Sequence, residues 1–240
     1  MKIRLPRGAA PRSRPHRSSS RKRPGFELFN VHESEQRLGP NVVSATLDEV
    51  MAAIQRLPSD FGWEDVRDLV VPVLPRVRPY PKGSPDLVAT MLPPGLIVGF
   101  SIDVGPALMT LSQELITSWN LSVADVSVQA LRNLFMLAGR LRPRDVICSP
   151  IDGVPVQAVQ TGLGIASTLV LAPTELRRLL GDQPKRLIAP MRDVLFAFPE
   201  DSDPALAALV FEEIAAEDPN HLQRRGFGFD GSAVSLRSMP

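Results

Sequence analysis

Ser167–Phe198 reads STLVLAPTELRRLLGDQPKRLIAPMRDVLFAF, and its punctuation decides the fold class. Ser167-Thr168-Leu169-Val170-Leu171 is a short apolar run with β-branched members, the pattern of a strand covered on both faces. Pro173 lacks an amide donor and presets φ, which suits the first turn of a helix. Leu176, Leu179 and Leu180 then share one helical face. Arg177 and Arg178 lie near the helix's negative end, and Gly181 supplies a left-handed residue to close it. Two further apolar runs, Arg186–Ala189 and Asp193–Phe198, flank Pro190-Met191-Arg192 and predict an antiparallel hairpin. Pro190 then belongs at an edge or a strand end, because it cannot donate to a central ladder. The expected unit is strand, helix, hairpin.

Upstream of this unit, Ser122 is placed to cap the clearest helix in the chain, which runs to Ala138 and stops at Gly139. Val123, Val126, Ala130, Leu131, Leu134, Phe135 and Ala138 form its apolar stripe, with Asp125, Gln129, Arg132 and Asn133 opposite. Leu96–Asp103 reads as a strand ending in the turn Asp103-Val104-Gly105-Pro106. Ala107–Thr110 returns it, a helix follows over Ser112–Trp119, and Asn120 ends that helix in the left-handed region. Asp145–Ile147 and Val154–Val159 read as strands around the turn Pro150-Ile151-Asp152-Gly153. Nearer the N-terminus, Leu47, Val50, Met51, Ile54 and Leu57 predict a helix over Thr46–Leu57, with Thr46 and Glu49 as a capping box. Trp63–Val71 reads as a second helix, and the proline-punctuated stretch Pro72–Pro85 as an extended linker or edge-lying connection. Downstream, Asp203 and Pro204 start a last helix that stops before Pro219. Ala233–Leu236 reads as a terminal strand after the Gly/Phe alternation of 226–231.

Composition narrows the function classes. The chain has 240 residues, 44% of them hydrophobic, with a net charge of +1. No apolar run approaches the roughly 18 residues that span a bilayer, so no membrane role is expected. The charge is unevenly placed. Nine basic side chains and no acidic one fall in residues 1–25, leaving 18 basic against 26 acidic groups in the remainder, a net of −8. Prolines 6, 11, 15 and 24 and the absence of aromatic residues mark 1–25 as a disordered basic arm without a secretory apolar region. The expected organisation is the arm (1–25), a helical segment with a Pro-rich connection (26–85) and an α+β domain (86–240). The single cysteine, Cys148, excludes an internal disulfide and a Cys-rich metal site.

Some of these features carry a resemblance. Ile116-Thr117-Ser118-Trp119-Asn120-Leu121-Ser122 matches a helix break, and Ala130-Leu131-Arg132-Asn133-Leu134 matches an "A-x-x-N-L" helix end. Gly162–Pro173 matches a strand-to-helix joint, and Pro190-Met191-Arg192-Asp193-Val194-Leu195-Phe196-Ala197-Phe198 matches a "P-x-R-D-x-L-x-x-F" strand. Together they make the run from Ile97 to Pro199 similar to a bacterial family typified by YtpQ. The resemblance covers somewhat under half of the chain, rests on structural residues and brings no catalytic residue with it.

Candidate sites follow from residue type and position. Asp103 and Asp193 sit beside predicted strand ends and, with Glu114, are the residues that would converge as paired carboxylates for acid–base chemistry. Turn formation and helix capping are the ordinary uses of such residues, and Arg192-Asp193 reads most simply as a hairpin turn with a local ion pair. Gly162, Gly164 and Ser167 lie in the one glycine motif worth testing as a phosphate loop. A strand is expected after it and no Lys-Ser/Thr follows, so a tight turn between strands is the better account. Arg12, Arg14, Arg17, Arg21, Lys22 and Arg23 are the candidates for nucleic-acid contact, through the arm only. His16, His32 and His221 lack metal-ligand spacing, so no metal or other cofactor is expected. Cys148 reads as a buried strand-end thiol.

The expected fold is α+β, with helices Thr46–Leu57, Ser122–Ala138 and Pro204–Ala216 on one face of a largely antiparallel sheet. The expected function is a non-catalytic cytoplasmic binding or scaffold module for an unidentified protein partner. The alternatives are a small hydrolase using carboxylates near Asp103 and Asp193, and a nucleic-acid binder acting through the arm.

Overall fold

The computed structural model describes residues 61–76, 88–105, 107–216 and 221–240, and places Ala52 and Gln55 in a helix. The basic arm, the connection over 77–87 and the rest of the predicted helix Thr46–Leu57 lie outside the described residues. The class is α+β, with every strand pairing antiparallel. Two sheets are present where one was expected. A four-stranded sheet contains β1 (Val70–Val73), β2 (Ala89–Leu92), β3 (Leu96–Asp103) and β4 (Leu108–Thr110). Its long strand β3 takes β1 along one side, and β2 then β4 along the other.

The second sheet has six strands: β5 (Val146–Ile151), β6 (Val154–Val159), β7 (Lys185–Met191), β8 (Val194–Pro199), β9 (Gly226–Phe229) and β10 (Val234–Arg237). Its order is β10-β9-β7-β8-β6-β5. The β5–β6 turn is tighter than expected, with Asp152 at φ 50° and Gly153 at φ 81°. A two-residue loop with both φ positive matches the twist of the strands it joins.

Five further α-helices have bounds among the described residues: α1 (Trp63–Val66), α2 (Gln113–Ser118), α3 (Val123–Ala138), α4 (Pro173–Leu180) and α5 (Pro204–Ala215). α3 starts as expected. Ser122 Oγ accepts from the Asp125 amide at 3.2 Å, and Asp125 answers on the Ser122 amide at 2.9 Å. Asn120 ends α2 in the left-handed region at φ 56°. Arg178 on α4 donates to the carbonyls of Ala138 at 2.8 Å and Leu141 at 2.7 Å, so a cation from another element satisfies the end of α3.

Residues 67–71 do not continue α1. A 3-10 turn over Arg67–Leu69 leads directly into β1, whose burial is continuous. Pro72 lies in that strand, which pairs with β3 alone and is therefore an edge. Ser167–Leu171 is also not a strand but part of a buried 3-10 helix, Ala166–Leu171. Periodicity alone does not separate a short apolar run of this kind from a buried helical turn. The hairpin that follows forms as expected from β7 and β8, except that β7 lies between β8 and β9 and is central. Pro190 sits in its interior, at a register shift between Ile188 and Met191. There it needs no ladder amide, and its carbonyl accepts from the Leu222 amide at 2.9 Å.

The six-stranded sheet is covered on both faces. Leu187, Leu195, Ala197, Phe227 and Phe229 join Phe100, Ile102, Leu134 and Leu176 in the main core, which α3 and α4 share with the first sheet. Ile188, Phe196 and Phe198 point the other way, onto Val210, Phe211 and Ile214 of α5. α3 and α5 therefore serve different cores, against the expectation that they share one face. The apolar stripe of α3 is also rotated. Phe135 is 42% exposed and Asn133 only 4%.

Candidate functional site

The β7–β8 turn is Arg192-Asp193, an unusual pair for a tight hairpin. Neither residue has a positive φ, so the turn lacks the backbone that twists strands together, and the bulge in β7 takes up the mismatch. Both side chains turn inward, Asp193 being fully buried. Their paths then separate, and no ion pair forms between them.

Asp193 enters the glycine loop Thr161–Ala166. Thr161 donates its hydroxyl proton to Asp193 Oδ1. The Gly162 amide donates to Oδ2 at 2.5 Å and the Ala166 amide to Oδ1 at 3.4 Å. Thr161 Oγ1 in turn accepts from the amides of Leu163 at 3.0 Å and Ile165 at 3.4 Å. Gly162 and Gly164 hold φ of 67° and 68°, which lets successive amides turn to one side. The loop is thus built to hold an anion, and the anion it holds is the chain's own carboxylate. Burial pushes the Asp193 carboxyl above the usual carboxylate range, while the bonds from Thr161, Gly162 and Ala166 draw it back.

Arg192 takes the other side of the loop. A Cβ on Gly164 would fall on its guanidinium, so that glycine is required twice over, by its φ and by this packing. The Ser167 amide donates to the Arg192 carbonyl at 3.0 Å. The guanidinium is mostly buried yet makes no hydrogen bond to another described residue, and its Nε is wholly enclosed without a partner. Burial lowers its pKa; Asp103 and Asp193 counter that, and Arg76 adds to it as a nearby like charge.

Arg192 lines a cleft of about 80 Å3 at the seam between the two sheets. Arg76, Ser101 and Thr110 supply the other polar groups, and Val73, Leu74, Leu108 and Leu222 the apolar walls. Ser101 and Thr110 are cross-strand partners on β3 and β4, so their hydroxyls stand on one face. The seam is held by main-chain bonds: a bridge pairs Arg76 with Leu222, and the Gln223 amide donates to the Pro75 carbonyl at 3.1 Å.

The predicted site residues are therefore dispersed. Asp103 ends β3 and accepts from the Gly105 amide at 2.8 Å. Its pKa is raised by burial and lowered in part by that bond and by Arg192. Asp103 and Asp193 share Arg192 as an electrostatic neighbour, but Glu114 is exposed on α2, with no hydrogen bond or ion pair to either aspartate. The loop containing Gly162 and Gly164 joins β6 to a 3-10 helix, not to a strand, and the Ser167 hydroxyl is buried without a partner. Cys148 is exposed on β5, against the buried thiol expected, and lies in the electrostatic field of Lys185. His221 is placed with Nδ1 3.1 Å from the Leu222 carbonyl. His16, His32, Arg12, Arg14, Arg17, Arg21, Lys22 and Arg23 lie outside the described residues. Among the described residues no three metal-ligating side chains cluster, and no helix is long and apolar enough to cross a membrane. Sequence reading missed the cleft because Arg76 and Arg192 are 116 positions apart, one beyond β1 and the other in the β7–β8 turn. The one available signal was Arg-Asp in a turn where Asn-Gly is the usual choice. Compared with known proteins, the chain matches no family model, no curated protein and no solved structure.

Proposed function

We propose that this protein is a non-catalytic cytoplasmic binding module whose ligand enters the cleft at the seam of the two sheets. The observation that carries this reading is Arg192, a mostly buried guanidinium that borders the cleft and makes no hydrogen bond to another described residue. Native structures rarely bury such a donor without an occupant or a role for it. The most deeply placed carboxylate, Asp193, is already engaged by the loop and does not face a reacting group. Of the residues in the YtpQ-like motifs, Arg192 lines the cleft, Asp193 beside it is buried in the glycine loop, and Asn133 ties α3 to β1. Thermal-shift measurement against a panel of neutral and charged small molecules tests it. A ligand that raises the melting temperature of the wild type, and does so less for Arg192→Met, supports it; no such ligand counts against it.

A hydrolase is the second reading, and Asp103 is the observation in its favour. Its carboxyl is half-buried, is held above the ordinary range by that burial and neighbours Arg192. Turnover of a p-nitrophenyl ester or phosphate that disappears in Asp103→Asn would establish that reading over the first.

A further inference from the structure

The binding reading leaves the ligand's chemistry open, and the polar groups of the cleft narrow it. Besides Arg192, neither the Ser101 nor the Thr110 hydroxyl makes a hydrogen bond to another described residue, although Ser101 is only 2% exposed. Arg76 adds a second guanidinium to the lining. Arginine has donors and no acceptor, and each hydroxyl has a proton to give. A guest in contact with all four must therefore accept hydrogen bonds from several directions and carry negative charge. Among the described residues, no carboxylate lines the cleft to compete with it. Asp103 neighbours Arg192 without an ion pair, and Asp193 is held by the glycine loop.

Size gives the second constraint. Sites for whole metabolites usually measure roughly 300–1,000 Å3, whereas this one is about 80 Å3. It holds one polyatomic group, not a cofactor. We infer that the cleft binds a single oxyanion group, a phosphate or a carboxylate, either free or as the exposed end of a larger molecule. This rests on the binding reading above and goes further by naming the group. Four features meet in one place: the enclosed Arg192 Nε, a second guanidinium in the lining, two hydroxyls with no hydrogen bond to another described residue, and a volume of one group. A charge-assisted contact of this kind favours arginine over lysine, because the planar fork meets two oxygens at once.

The test is titration of the full chain with sodium phosphate, sodium sulfate, sodium acetate and glycerol, followed by calorimetry and by 1H–15N spectra. The expected result is saturable binding of at least one oxyanion, with shifts concentrated at Ser101, Thr110 and Arg192. Affinity should fall by about tenfold or more in Arg192→Met, as for a lost charge-assisted bond, with less loss in Arg192→Lys. It should also weaken as ionic strength rises. Phosphate or sulfate preferred over acetate assigns a phosphoryl-type end, the reverse a carboxylate; either supports the shared chemistry. Should Arg192→Met fail to fold, Thr110→Val and the wild-type shift map carry the test. No saturable oxyanion binding, or shifts scattered away from the cleft, overturns the inference and leaves the cleft to water. Arg192-dependent binding of glycerol, or of a neutral member of the thermal-shift panel, with none of any oxyanion, also overturns it while sparing the binding reading. If neither neutral nor anionic molecules bind, both fail.

Discussion

Asn133 holds α3 to β1 with one amide. Its Nδ2 donates to the Val70 carbonyl at 2.8 Å and to the Arg67 carbonyl at 2.7 Å. A second helical residue, Gln129, donates to Asn133 Oδ1 at 2.9 Å and fixes the orientation. The 3-10 turn Arg67–Leu69 ends at Val70, so this contact satisfies carbonyls exactly where helix gives way to strand. Asn133→Ala removes a donor from both carbonyls, but the Arg67 carbonyl keeps the Val70 amide, so the loss falls mainly on the buried Val70 carbonyl. The expected cost is about 1–3 kcal/mol, as for one buried group left unsatisfied. Urea denaturation checks it, and a midpoint unchanged from wild type would show that the clasp is dispensable.

The same residue shows how far the sequence could be read. Periodicity places Asn133 on the solvent side, because polar residues four apart, Gln129 and Asn133, mark a polar face. Nothing in a period reveals that a neighbouring strand end needs donors. Local punctuation, by contrast, was legible: β3, the Ser122 cap, Asn120 and the β7–β8 hairpin depend on residues close in sequence. The strand assigned to Ser167–Leu171 failed because tertiary contacts choose the conformation of a buried apolar run. The glycine loop reads from sequence as a tight turn between strands; that it cradles a carboxylate depends on Asp193, from a turn that only folding brings near.

Gly164 and Gly181 separate two reasons for glycine. Gly181 has φ 87° with open space around it, whereas a Cβ at Gly164, φ 68°, would fall on Arg192. Gly181→Ala should cost about 1–3 kcal/mol of backbone strain and nothing more. Gly164→Ala should cost at least about as much and in addition displace Arg192. Chemical denaturation combined with phosphate titration distinguishes them. Both variants lose stability, but only Gly164→Ala loses ligand affinity. Equal effects on affinity would contradict the placement of Arg192.

Asp103 gives a pH dependence whose sign is fixed. Burial raises its pKa in the folded protein above the ordinary 3.8. The folded state therefore binds more protons than the unfolded state from that pH upward to the folded pKa. Its contribution to stability is present below 3.8 and is lost as pH rises through the folded pKa. Asp103→Asn removes this dependence. Urea midpoints at about pH 4 and pH 7 should show the wild type losing ground to the variant as pH rises. A gain by the wild type over that interval would show the carboxylate to be favoured by folding.

The account's central claim is that the glycine loop is filled from within by Asp193, leaving Arg192 to meet the ligand. The most direct measurement is the amide proton shift of Gly162 and Ala166, in wild type and in Asp193→Asn, with and without added phosphate. The account predicts a Gly162 amide far downfield in the wild type, as for a short bond to a carboxylate. That signal should move strongly in Asp193→Asn and stay fixed when phosphate is added, while the cleft resonances of Ser101 and Thr110 shift. A Gly162 amide that ignores Asp193→Asn, or that moves with phosphate while the cleft stays silent, would make the loop itself the anion site and contradict the account.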